Sequence, residues 1–307
     1  MRRYFIITVD TEGDNLWTYH EGDKVKTENT LSIPRFQELC EQYGFKPVYL
    51  TNYEMICDDR FVEYFKPKAE AGLCEVGIHV HAWNNPPYYE LDGKYNGNPY
   101  LIEYPYDVMR EKFATTYNLI KERIGGAPVS HRAGRWVMNE DYFKLLKEFG
   151  VTVDCSYTPF VSWKNSTGRT VDGGCDYSCV NPSTHLIQDV LEVPMSIRKL
   201  HYMSEGGIKS RIRKVLKGGT VWLRPAISTL KEMKLLSQKI TREKSSDYLE
   251  FMIHSSELMV GGSPYFMDED AIERLFSNMR HLFDYIERLG YQGATLEEYY
   301  TEKRHAK

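Results

Sequence analysis

Six cysteines in 307 residues are too few for a disulfide scaffold. Cys40, Cys57, Cys74 and Cys155 stand in apolar or helical contexts and read as reduced buried thiols. Cys175 and Cys179, in GGCDYSC, match neither a redox C-x-x-C nor a paired zinc C-x-x-C. No run approaches the roughly 18 consecutive apolar residues of a membrane span. The apolar run near the amino terminus is about six residues, short of the roughly 7–15 of a signal-peptide core, and Asp10 ends it. The fold is therefore expected to begin at Arg3 and the protein to be cytoplasmic. An excess of basic charge is also missing. Lys+Arg 39 against Asp+Glu 43 leaves a net charge of −4, which argues against a nucleic-acid binder held by bulk charge. Neither an internal repeat nor a composition break marks a linker, so residues 1–307 are expected to form a single domain.

What is present suits a folded α/β protein. The 42% hydrophobic content is ample for a core. Twenty-three tyrosines and five tryptophans supply flat amphipathic rings of the kind that pack on sugars as well as in cores. RYFIITVD (3–10), KPVYLTN and CEVGIHVHAW (74–83) read as strands, separated by amphipathic stretches at 32–44 and in DDRFVEYFKPKAEAG, the latter broken near Pro67. A long helix over 107–126 precedes PVSHRAG, and NEDYFKLLKEFG precedes VTVDCSY. LEVPMSI and TVWLRPAI follow, then a helix at about 229–246, the strand in YLEFMIHSSEL and a last helix over 267–290. Repeated β-then-α units imply a parallel sheet, open or closed. Reactive groups in such folds gather where strands end. The long stretches 84–106 and 160–188, rich in Pro, Gly, Asn and Tyr, read as walls of a substrate cleft.

Unusual polar residues fall at those strand ends. In GIHVHAW, positions i and i+2 of a strand face one side, so His79 and His81 can present two imidazoles to one cation. TVDTEGD supplies Asp10, Glu12 and Asp14, acids close enough together to need a cation or an arginine. Arg132, in SHRAGRW, can hold one carboxylate ionised. His254, in FMIHSSEL, emerges from an apolar strand where a general acid would be placed.

Taken in order, TVDTE, HVH, HRAGRW, DCSYTP and MIHSS resemble the polysaccharide deacetylase family, carbohydrate esterase family four, over about residues 3–295. GIHVHAW and HSSEL point to a divergent branch resembling deacetylases of lipopolysaccharide or surface-glycan biosynthesis. The resemblance implies a distorted (β/α) barrel of about seven parallel strands. It implies Asp10 as catalytic base, His79 as first metal ligand, Arg132 on the Asp, His254 as acid, and Asp154 orienting His254. The family's adjacent Asp-Asp is here Asp10-Thr11, so Glu12 is expected to supply the acidic ligand. The family's second histidine falls at Trp83, so His81 takes that role. The motif-three tail is Gly-Arg-Trp where Pro and an aromatic are usual.

The implied activity is metal-dependent removal of an acetyl group from a surface glycan or its lipid-linked or nucleotide-linked precursor. Zinc is the expected metal, with cobalt, nickel or iron as alternatives. The rival readings are a non-catalytic glycan-binding relative and a metal hydrolase cutting another C–N or ester bond. A basic segment, 197–219, is a candidate contact for a phosphate-linked substrate.

Overall fold

The computed structural model describes residues 2–19, 23–201, 219–243 and 246–305. Strand β1 (Arg3–Thr11) is buried along its whole length after Arg3. Tyr4 and Ile6 pack to one side, with Val48, Leu50, Val153 and Tyr248. Phe5, Ile7 and Val9 join the larger core on the other side, where helices cover the sheet. A strand buried on both faces belongs in the middle of a parallel sheet, and β1 lies there.

Strands β2 (Val48–Thr51), β3 (Glu75–Val80), β4 (Ser130–Ala133) and β5 (Val153–Asp154) follow β1 outward in one direction. β6 (His185–Ile187) and β7 (Val190–Glu192) form the far edge, in the order β5-β7-β6. β8 (Ile197–Leu200) and β9 (Gly219–Trp222) form a separate antiparallel pair, so TVWLRPAI lies outside the main sheet. β10 (Tyr248–His254) flanks β1 on its other side, and β11 (Tyr291–Gly293) pairs with the start of β1. Among the described residues, only the β6–β7 pair of the main sheet is antiparallel. The expected distorted (β/α) barrel is thus observed as a curled half-barrel, with seven parallel strands along β10-β1-β2-β3-β4-β5-β7.

The sheet is curled, and one contact demonstrates it. Arg132 on β4 hydrogen-bonds Glu250 on β10, four strands away. In a flat sheet at about 4.8 Å per strand these residues would be roughly 19 Å apart. The inner face of the curl is apolar at its base. It then becomes polar through Thr8, Arg132 and Glu250 before opening at Asp10 and His254.

Two expectations need correcting. The helix Asp59–Glu70 runs through Pro67 instead of breaking there. Cys57 is exposed, whereas Cys40, Cys74 and Cys155 are buried. Of the basic segment, residues 202–218 lie outside the described residues.

Candidate metal centre

Sheet register does most of the assembly. Asp10 is paired with His254 across β1 and β10, and His79 with Arg132 across β3 and β4. Parallel neighbours in register place side chains of equal parity on one face, here the inner one. Glu12 lies just beyond β1. Its backbone N–H donates to Ser255 Oγ at 3.1 Å, and its carbonyl accepts from Asn29 Nδ2 at 2.7 Å.

Glu12, His79 and His81 offer three ligand atoms within 4.8 Å of one another, all buried. Glu12 Oε2 lies 2.8 Å from His81 Nε2 and 3.7 Å from His79 Nε2, and the two Nε2 atoms are 3.2 Å apart. Two nitrogens bound tetrahedrally at about 2.0–2.1 Å would stand roughly 3.3 Å apart, so the spacing fits one first-row cation. His79 Nδ1 donates to the Arg132 carbonyl at 2.7 Å, which leaves Nε2 as a lone pair aimed at its partners. His81 has no such support: Nδ1 is buried without a partner among the described residues, and Trp83 packs on the ring at 4.2 Å between centroids. Burial pushes His81 down to about 4, against the opposing pull of Glu12. Glu12 is held well below the carboxylate range, because the facing histidines outweigh its burial.

Asp10 sits beside this group. Burial would raise its carboxyl, but Arg132, with help from His79 and His254, brings it below the usual value. Arg132 Nη1 donates to Asp10 Oδ1 at 2.6 Å. Its Nη2 donates to Thr8 Oγ1 at 2.8 Å and to Glu250, and its Nε to the Cys155 carbonyl at 3.1 Å. One guanidinium therefore serves two buried carboxylates. Glu250, largely through burial, is pushed up to about 7, and its Oε2 has no partner among the described residues.

His254 Nε2 faces Glu12 Oε1 at 3.5 Å and Asp10 Oδ2 at 3.7 Å. Arg224 Nη2 approaches Nδ1 at 2.7 Å and donates also to Glu257 Oε1 at 2.6 Å. A guanidinium only donates, so Nδ1 is the acceptor and Nε2 carries the ring proton toward the carboxylates.

Six of the expected residues meet here: Asp10, Glu12, His79, His81, Arg132 and His254. Asp154 does not join them. Its neighbour Val153 points into the curl, so Asp154 points to the helix side, where it accepts from His131 Nδ1 at 2.7 Å and Ser156 Oγ at 2.8 Å. The expectation that it orients His254 is corrected: Arg224 and Glu257 stand there instead. Asp14 also turns away, accepting from the Glu28 and Asn29 backbone N–H groups. The sequence carried one hint of Arg224, an arginine closing the apolar run TVWLR, and one of Glu250, a charge inside the strand YLEFMIH.

The two long loops lock together near the site. Glu103 accepts from the backbone N–H groups of Arg169, Thr170 and Val171. Arg135 reaches Ser166 Oγ at 2.8 Å and donates to the carbonyls of Asn98 and Thr167. Gly93 lies so close to the Arg169 carbonyl that an added Cβ would stand 2.0 Å from it.

No family model matches the sequence, and no curated protein matches it. Solved structures with similar folds include a 4-alpha-glucanotransferase from Thermococcus litoralis, with a TM-score of 0.55 and 13% identity. That alignment covers 98% of this chain and 40% of the enzyme. A family 4 acetyl xylan esterase from Clostridium thermocellum, in complex with a cobalt ion, aligns over 97% of this chain and 91% of its own, with a TM-score of 0.46 and 13% identity. A CE4-family pseudoenzyme from Bacillus anthracis aligns over 97% of this chain and 65% of its own, with a TM-score of 0.43 and 10% identity. Family-four esterases, which the motifs resemble, are thus among the similar structures. At these identities the likeness is one of fold.

Proposed function

We propose that the protein is a divalent-metal hydrolase that removes acetyl groups from a carbohydrate. The observation that carries this reading is the arrangement of Glu12, His79 and His81 around one point, with Asp10 and His254 facing the same space. Two imidazole nitrogens and one carboxylate oxygen suit zinc, with cobalt, nickel or iron as alternatives. When bound, such an ion lowers the pKa of water and polarises a carbonyl.

Asp10, kept ionised by Arg132, accepts the proton of the attacking water. The same carboxyl, 3.7 Å from His254 Nε2, can return that proton to the departing oxygen or nitrogen. His254, its ring fixed by Arg224 and Glu257, orients that departing atom with a hydrogen bond from Nε2–H. Arg132 also joins β4 to β1 and β10, so the base sits on a rigid frame. The aromatic content near the site, including Trp83 and the exposed Trp17, suits a sugar.

Zinc-loaded protein is expected to release acetate from O-acetylated or N-acetylated saccharides, read by an enzymatic acetate assay. Release of phosphate or of a ring-opened acid from the corresponding test substrates, with no acetate, would overturn the reading.

A further inference from the structure

Strand β2 lies between β1 and β3, so the turn that leaves it is flanked by both ligand-bearing turns, with Glu12 after β1 and His81 after β3. Sheet pairing fixes where that turn begins. Thr51 is in register with Thr11 and with Ile78, and the Asn52 N–H donates to the Thr11 carbonyl at 2.9 Å. The short helix Tyr53–Cys57 starts there and carries Glu54 in its first turn. Glu54 Oε1 accepts from the Gly13 N–H at 2.8 Å and from Asn52 Nδ2 at 3.3 Å. Its Oε2 accepts from Asn84 Nδ2 at 3.1 Å. One carboxylate thus joins the residue after Glu12 to the third residue after His81. These three donors belong to neutral amides, so both carboxylate oxygens act as acceptors.

That link completes the support of two ligands. His79 is oriented through its own ring, by the Arg132 carbonyl, whereas His81 Nδ1 has no partner among the described residues. The His81 ring therefore takes its direction from its backbone. Lys112, on the helix Tyr106–Ile124, holds that stretch from the helix side through the Ala82 and Asn85 carbonyls. Glu54 holds it to the Glu12 turn. Glu12 is in turn anchored by Ser255 after β10 and, one residue on, by Glu54. Glu12 and His81 are also the two ligands that depart from the motif pattern, at Thr11 and Trp83, so their support belongs to this chain.

We propose that Glu54 is a positioning residue of the metal centre. Its carboxylate holds the Glu12 and His81 turns at ligand spacing, acting through Gly13 and Asn84 without ligating the ion. The assignment rests on the metal-hydrolase reading above.

The test is zinc titration of the metal-free full-length protein, by competition with a chelating dye, together with the visible absorption of the cobalt-loaded protein, which reports ligand geometry. Glu54→Gln keeps the shape of the side chain but turns an NH2 group against one of its donors. Zinc affinity is expected to fall about tenfold or more, the scale of a lost outer partner, and the cobalt spectrum to change. Combining Glu54→Gln with Asn84→Asp exchanges donor and acceptor: the amide oxygen serves Gly13 and the NH2 group meets the carboxylate at position 84. This pair is expected to recover most of the affinity and the wild-type spectrum. A loss that the exchange leaves unrecovered would overturn the assignment. So would Glu54→Gln protein that is weaker in urea unfolding but has wild-type zinc affinity and cobalt spectrum. Equal zinc binding by wild type and Glu54→Gln overturns this assignment alone, whereas wild-type protein that binds no zinc overturns the metal reading with it.

Discussion

Asp10 and Glu12 are two residues apart and face the same space, yet their partners give them different work. Arg132 holds Asp10, whereas the two imidazoles surround Glu12. Replacing each by its amide should therefore separate base from ligand. Asp10→Asn is expected to lower acetate release by about 100-fold or more, with zinc affinity within a few-fold of wild type. Glu12→Gln is expected to lose zinc affinity, measured by competition with a chelating dye. Arg132→Leu leaves two buried carboxylates unpaired and should cost about 3–5 kcal/mol in urea unfolding. Arg132→Lys should recover only part of this, because an ammonium cannot fork between Asp10 and Glu250. The sequence made Asp10, Glu12, His79, His81, Arg132 and His254 legible as candidates, because each ends or follows an apolar strand. Arg224 and Glu257 were not legible. Their link to His254 depends on how β9 and the turn after β10 meet in space, and no spacing rule encodes that.

Alternating side-chain parity decided which acids could reach the centre. Asp154 was assigned by motif order, but one step of parity along β5 sends it through the sheet to His131 and the helix side. The strands and most helices could be read from periodicity, including the helix Glu269–Arg288 with its acidic start. The β8–β9 pair could not be told from main-sheet strands, since strands of four residues, IRKL and GTVW, do not encode their pairing partner. The loops were legible as cleft walls by length and composition, but not their fastening. Glu103→Ala should release the amides of Arg169, Thr170 and Val171, seen as loss of hydrogen-exchange protection at those positions. Unchanged protection would show that Arg135 and the close backbone packing suffice.

Across the whole molecule, the polar column inside an otherwise apolar curl has a cost that depends on pH. Glu250 faces Arg132 and Thr8 and feels the charges of Asp10 and Asp154, and burial leaves its pKa at about 7 against an ordinary 4.5. The folded protein then holds a proton that the unfolded chain gives up above about pH 4.5. Glu250's contribution to stability is present below that pH and is lost as pH rises through about 7, an effect of roughly 3 kcal/mol. Urea unfolding of wild type and Glu250→Gln between pH 4.5 and 8 should show the gap between them moving in favour of the variant as pH rises. A gap that does not change with pH would mean that Glu250 is ionised throughout.

The claim on which the rest depends is that one cation draws Glu12, His79 and His81 together. Zinc titration of the metal-free protein, followed by calorimetry, tests it directly in wild type and in Glu12→Gln, His79→Ala and His81→Ala. One ion per chain is predicted for wild type, with affinity lowered about 100-fold or more in each variant. Wild-type affinity retained in all three variants would contradict the account.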